Sequence, residues 1–166
     1  MADLVSIEAA LASAAQQTAG FKALTSAQAT TLDAAVSRIL PSVDGRPGAH
    51  EAGAVYFIDQ SLATFNSRQK APYVRGLRDL DQRAGRLVKS ATFAALPSAR
   101  QDEVLKAIEQ TPFFQMLRVD TIFGTFALPV WGGNRNHAGW QLLGLTHQPA
   151  YQPPFGYYDA DANTRS

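Results

Sequence analysis

The chain has 166 residues, 46% of them hydrophobic and 17% charged, enough to bury one sizeable core and too few to suggest a second domain. A formal net charge of +1 lacks the strong basic excess of a nucleic-acid binder, so that partner is not expected. The absence of cysteine excludes disulfides, thiolate zinc sites, iron–sulfur clusters and covalently attached c-type haem.

In chain order, Leu4 to about Ala15 reads as an alanine-rich helix with few large side chains to bury. No basic n-region precedes it, and Asp3 and Glu8 stand where a signal peptide avoids acids; either the protein is cytoplasmic or its export signal has been removed. No run approaches the roughly 18 apolar residues needed to span a bilayer. Residues 1–24 therefore form an N-terminal segment ahead of a helical domain over 25–145 and an extended tail over 146–166.

Leu32, Ala35, Val36, Ile39 and Leu40 share one helical face, with Thr25 or Ser26 as N-cap and Pro41 as the stop. After the turn-rich Asp44–Gly48, a helix is expected over Ala49–Thr64 with Val55, Ile58, Leu62 and Phe65 inward and Tyr56 and Phe57 widening the stripe. From Pro72 to about Ser90, Tyr73, Leu77, Leu80, Ala84, Leu87 and Val88 repeat at helical spacing, and Arg75, Arg78, Arg83, Arg86 and Lys89 take the other side. Ser98 and Gln101 match a capping box for a short helix carrying Val104, Leu105 and Ile108. Thr111-Pro112 is an N-cap followed by a proline at the first helical position, and it opens a long apolar helix that reads as the enclosed, central one. Pro129 and Gly132-Gly133-Asn134 then force an ordered loop holding both tryptophans. With no convincing strand alternation anywhere, the fold class is all-α, a compact helical bundle. In the tail, Pro149, Pro153 and Pro154 alternate with Tyr151, Phe155, Tyr157 and Tyr158 without periodicity, so these aromatics should lie across a surface, the chain's own or a partner's.

Reactive constellations are scarce. His50, His137 and His147 lack the spacing of a metal-ligand pair or an activating acidic neighbour, so neither a metal site nor a catalytic set is assigned. Asp79 and Asp81 read as surface partners of neighbouring arginines, and Asp102 and Glu103 as favourable charges at a helix start. The arginine-rich face of the 72–90 helix is either a solvated outer surface or a docking site for an acidic partner, arginine outnumbering lysine 11 to 4. Arg118, in an apolar helix, needs an acceptor; candidates are Asp120, carbonyls of the Gly132–Asn136 loop or a carboxylate of another chain, and the first reading is that it pins the loop together with Gly132, Gly133 and Asn134.

At these residues the sequence resembles a known family. Phe113-Phe114, Arg118, Thr121-Ile122, Gly124, Phe126, Pro129, Trp131-Gly132-Gly133-Asn134-Arg135 and Gly139-Trp140-Gln141-Leu142-Leu143-Gly144 look like the hallmark of the small, third subunit of gluconate 2-dehydrogenase. Ile39-Leu40-Pro41, Pro47-Gly48-Ala49, Glu51-Ala52-Gly53 and Phe57-Ile58-Asp59 fit the same pattern, with Trp131 where the family commonly has tyrosine. The resemblance implies a non-catalytic subunit, with no cofactor of its own, beside an FAD-dependent glucose–methanol–choline (GMC) dehydrogenase of sugars, sugar acids or glycosides, often with a cytochrome c completing the electron path. It further implies stabilisation and export of that flavoprotein, hence the periplasm, although the twin-arginine signal is missing here and the cytoplasm is the alternative.

On this reading Trp131, Arg135, Trp140, Tyr151, Phe155, Tyr157 and Tyr158 supply the partner interface. Two rivals come from other classes. One is a stand-alone helical module using Trp131, Trp140 and His137 as a small-molecule pocket; the other is an independent hydrolase or lyase.

Overall fold

A computed structural model of the protein describes residues 20–145. Among them are six α-helices and no strand: α1 Ser26–Ile39, α2 Ala54–Ala63, α3 Lys70–Leu87, α4 Ser98–Lys106, α5 Pro112–Phe126 and α6 Ala138–Leu142. The all-α expectation holds. The expected helix over 4–15 and the tail over 146–166 lie outside the described residues.

Local signals set the ends of α1 and α5. Thr25 Oγ1 accepts from the Gln28 amide at 3.3 Å while Gln28 Oε1 accepts from the Thr25 amide at 3.0 Å, a reciprocal capping box. Thr111 caps α5 by accepting from the Phe114 amide at 3.2 Å, with Pro112 in the first turn. The same reasoning fails at α4, where Pro97 is the N-cap and no side chain caps the helix. Gln101 is instead buried and donates to the Phe93 carbonyl at 3.1 Å, because the short turn at Phe93–Ala95 offers it a closer acceptor.

The helix expected from Ala49 begins only at Ala54, since Gly53 adopts φ +67° and breaks the helical path. Its other end also differs. The chain leaves helical geometry at Thr64, and Phe65, expected inward, is 64% exposed. On α3, Tyr73, Leu77, Leu80 and Ala84 face the core, but Leu87 and Val88 lie past the last packed turn and are exposed.

Enclosure is distributed otherwise than the apolar runs suggest. Seven of the ten residues of α2 are buried, namely Ala54, Val55, Phe57, Ile58, Asp59, Ser61 and Leu62, so α2 is the central helix. Helix α5 buries only Leu117, Asp120, Thr121, Gly124 and Thr125 of its fifteen residues. It lies against α2 through small side chains; a Cβ at Gly124 would stand 3.0 Å from the Ala54 Cα, so the two backbones come close, and among the described residues nothing covers Val119, Ile122 and Phe123 on the far side of α5. Around α2 gather Leu32 and Val36 of α1, Tyr73, Leu77 and Leu80 of α3, and Phe93, Ile108 and Leu117, all buried in one cluster. Burial of each such side chain contributes about 1.5–3 kcal/mol, and together they hold the bundle.

Two carboxylates, one buried and one partly buried, tie the helices. Asp59 accepts the amides of Lys22 at 2.8 Å and of Ala23 and Leu24, each at 2.9 Å, fixing the approach to α1. Asp81, expected on the surface, turns inward and accepts from Thr31 Oγ1 at 3.1 Å and from the Phe93 amide at 2.9 Å. Its neighbour Asp79 does make the surface pair, with Arg83 Nε at 2.7 Å. Asp102 and Glu103 pair with Arg38 and Arg100 at 2.7 and 2.6 Å.

Candidate functional site

A helix ends with carbonyls that have no partner inside it. In α5 these are met by the loop that follows. The Asn134 amide donates to the Gly124 carbonyl at 2.8 Å, Asn134 Nδ2 donates to the Ala127 carbonyl at 3.0 Å, and Asn134 Oδ1 accepts from the Gly139 amide at 2.9 Å. Trp140 Nε1 completes the cap by donating to the Phe126 carbonyl at 3.0 Å.

Reaching this geometry demands unusual backbone. Gly132 sits at φ +95°, Asn134 at +44°, Asn136 at +53° and His137 at +57°. Asn is among the few residues that tolerate the left-handed region, and the bonds made by Asn134 offset its cost. Gly133 packs its Cα against the Gly124 carbonyl so closely that no Cβ has room. Gly132, Gly133 and Asn134 thus lie at the heart of the loop.

Arg118 takes no part in it. Its position on α5 points away from α2, the residue is exposed, and its Nη2 donates to Gln115 Oε1 at 3.3 Å. The expectation of a buried, loop-pinning arginine at that position is therefore corrected. The buried arginine is Arg135, placed in advance at a partner contact and found only 6% exposed. Its amide donates to the Ala52 carbonyl at 3.0 Å, its Nε donates to the Gly132 carbonyl at 3.3 Å, and its Cζ stands 3.4 Å from the centroid of the Tyr56 ring. The stem lies where a Gly53 Cβ would be, 2.6 Å from Cδ, which explains the glycine and its left-handed backbone. Nη2 is buried without a hydrogen-bond partner. Burial holds the guanidinium below the usual arginine range, against the opposing pull of Tyr56. Tyr56 in turn stacks on Phe21 with ring centroids 5.4 Å apart.

The two tryptophans turn to different neighbours, which separates the three residues assigned to a shared pocket. His137 stacks on Trp140 at 4.8 Å with planes 3° apart, whereas Trp131 meets Phe65 edge-on at 6.3 Å. Trp140 is partly buried by its role in the cap, and Trp131 remains 50% exposed. Tyr151, Phe155, Tyr157 and Tyr158 lie outside the described residues.

Sequence reasoning missed the outer side of α5. Val119, Ile122 and Phe123 are exposed there, Phe123 by 57%, and Leu128, Val130 and Trp131 follow from the adjoining loop. A signal did exist: Gln115 and Arg118, three apart, mark the solvent side, and Val119 and Ile122 adjoin them at helical spacing. Elsewhere, an open groove of about 260 Å³ between α3 and α4 is lined by Arg83, Arg86, Leu87, Glu103, Val104 and Ala107.

Among the described residues no group of three or more His, Cys, Asp or Glu could hold a metal ion, and no helix is long and apolar enough to cross a membrane. Tyr73 and Asp120 form a buried pair, the phenol donating to Oδ2 at 2.6 Å. Burial raises both above their ordinary values; Asp120 pushes Tyr73 further up, and the tyrosine's hydrogen bond holds Asp120 partly back.

Among the described residues this is a small all-α domain that caps its own long helix with a Trp-Gly-Gly-Asn loop and carries exposed apolar side chains on the outer side of that helix. The family model described as gluconate 2-dehydrogenase subunit 3 matches residues 26–146, and the chain belongs to that family. Membership implies a role as one subunit of a multi-subunit dehydrogenase complex. No curated protein and no solved structure gives a match.

Proposed function

We propose that this chain is the non-catalytic small subunit of an FAD-dependent GMC-type dehydrogenase, which it binds and stabilises and helps to mature or export. The flavin sits in the large subunit, whose substrates are sugars, sugar acids or glycosides, and a cytochrome c serves as a further partner in the electron path. On this reading the complex works in the periplasm.

One observation carries the proposal: an exposed apolar surface running from the outer side of α5 to Trp131, with Phe65 against it. Large apolar side chains left exposed within one short stretch, Val119 to Trp131, are what an interaction site presents, and aromatic residues are the usual anchors of such contacts. Of the residues assigned to the interface, Trp131 supports it directly, whereas Arg135 and Trp140 act by holding the loop that presents it. The family assignment agrees, since a third subunit needs a surface for its neighbours.

Co-expression of the chain with the neighbouring large-subunit gene, followed by a pull-down, tests the reading. The expected result is a yellow, flavin-containing chain retained with the small subunit, and a loss of retention in Trp131→Ala combined with Tyr157→Ala. Retention unaffected by both substitutions, or substrate turnover by the small chain alone, would sink it.

A further inference from the structure

Helix α3 carries charge that its own folding does not account for. Asp79 and Asp81 are the only acids between residues 68 and 89, and neither offsets the exposed cations there. Asp79 is held by Arg83 at 2.7 Å, and Asp81 turns to Thr31 and the Phe93 amide. Arg68, Lys70, Arg75, Arg78, Arg86 and Lys89 are exposed and make no ion pair among the described residues. Lys70 opens the helix at the positive end of its dipole, with no acid in the first turn. Arg75 and Arg78 repel each other three residues apart, as do Arg86 and Lys89. Each of these placements works against the helix.

We propose that the ridge of Arg75, Arg78 and Arg86, with the groove beside it, is a second docking surface whose occupant is an acidic peptide segment of another protein, carrying an aliphatic side chain among its carboxylates. The groove between α3 and α4, about 260 Å³ and open, has Leu87, Val104 and Ala107 as its apolar lining. Two of its three charged residues are already engaged, Arg83 with Asp79 at 2.7 Å and Glu103 with Arg100 at 2.6 Å. Arg86 is left at the rim to meet an anion.

Charge and shape choose the occupant. Guanidinium groups bind carboxylates through two parallel hydrogen bonds, and the ridge is arginine at all three positions. From Arg75 to Arg86 it runs roughly 16 Å along the helix, the reach of about five residues of extended peptide. An apolar recess next to the cations suits a protein side chain, which a nucleic acid or a polyphosphate lacks. The ridge and groove share no residue with the stretch from Val119 to Trp131, so the inference does not depend on the partner assigned there. Membership of a multi-subunit complex supplies more than one neighbour to be met.

The test is fluorescence anisotropy on the full chain, with a labelled peptide of about twelve residues built from glutamate with leucine at every third or fourth position. Arg78→Glu/Arg86→Glu should weaken binding at least about tenfold, and Leu87→Ser, which keeps every cation, at least about threefold. Arg46→Glu/Arg118→Glu makes the same change of net charge at exposed sites elsewhere and should stay within about twofold of the wild type. The same peptide with glutamine for glutamate should not bind. Equal losses in the two charge-reversed proteins would reduce the effect to net charge, and full affinity in Leu87→Ser would leave the groove without a role; either overturns the proposal. Two further readings use the unaltered chain and decide the matter even where a variant folds poorly. Binding of the glutamine peptide as tightly as the glutamate one overturns it. So does a chain that ignores the peptide but co-floats with vesicles of about one-third phosphatidylserine, which would assign the ridge to a membrane surface.

Discussion

Trp140 and Phe126 are joined by a hydrogen bond of 3.0 Å from the indole N–H to the main-chain carbonyl, so the second tryptophan of the loop closes the helix that precedes it. The aromatic ring is held by a polar contact at its edge, and the short helix α6 is positioned by the same bond. Trp140→Phe keeps an aromatic ring but removes the donor together with the five-membered half of the indole. It should cost about 1 kcal/mol in urea denaturation, and a cost near zero would mean that the carbonyl is equally well served by water.

Asn134 is fully buried and serves two acceptors, the Gly124 and Ala127 carbonyls, and two donors, the Gly139 and His137 amides. Asn134→Ala leaves the Ala127 carbonyl and the Gly139 amide unpaired and places a residue less tolerant of left-handed backbone at φ +44°. A loss of about 2–4 kcal/mol is expected from the sum of those effects. Asn134→Asp keeps the acceptor but not the donor, and it should fall between the wild type and alanine in thermal midpoint.

Arg135 offers a flat guanidinium to Tyr56 and to the Gly132 carbonyl, and no carboxylate pairs with it among the described residues. Arg135→Lys retains the charge and loses both the planar stacking and the Nε donor, so it should destabilise by about 1–2 kcal/mol. Arg135→Met removes a buried charge that lacks a counter-ion. It should be tolerated better than lysine, and the reverse order in chemical denaturation would show that the charge itself is stabilising.

Asp120 contributes a pH dependence opposite in sign to ordinary acid denaturation. Its folded pKa is raised by burial above the unfolded value near 3.9, so the folded state takes up the proton first as pH falls. The stability of the wild type relative to Asp120→Asn should therefore increase as the pH is lowered from neutral toward about 4, and decline as it rises through the folded pKa. Paired urea titrations at several pH values read that difference directly; a flat or oppositely sloped difference contradicts the assignment.

Phe123 separates stability from association. Being 57% exposed, it should tolerate Phe123→Ser within about 0.5 kcal/mol of folding stability. Retention of the large subunit should nonetheless fall. Gly124→Ala, its neighbour, should do the opposite: a Cβ 3.0 Å from the Ala54 Cα overpacks the helix contact and costs about 1–3 kcal/mol wherever the partner is.

Features set by neighbours in sequence were legible before the structure, and those set by the third dimension were not. Thr25, one of two N-cap candidates, and Thr111 with Pro112 predicted their caps because every group involved lies within one turn, while the part of Gln28 in the first cap came only with the fold. Ser98 with Gln101 carried the same pattern and failed, since Phe93 drew the glutamine away. The run from Phe113 to Phe126 was read as enclosed on all sides because apolar composition says what can be buried, not what covers it; the small residues at Gly124 and Thr125 let α2 press on one side only. The two arginines exchanged roles for a related reason. Arg118 stood among apolar residues in sequence but outside in space, whereas Arg135, in a polar loop, is enclosed by Gly53 and Tyr56 from a helix more than seventy residues earlier. Within the loop, the Gly-Gly-Asn string announced tight backbone, and the identity of the carbonyls it satisfies came only with the fold.

The clasp that Asp59 forms on the amides of Lys22, Ala23 and Leu24 gives the domain a fixed mooring at its front edge. A pull applied upstream of Lys22 must prise three amides from one carboxylate before it reaches the first turn of α1. Asp59→Ala would release all three amides at once and leave that first turn unshielded.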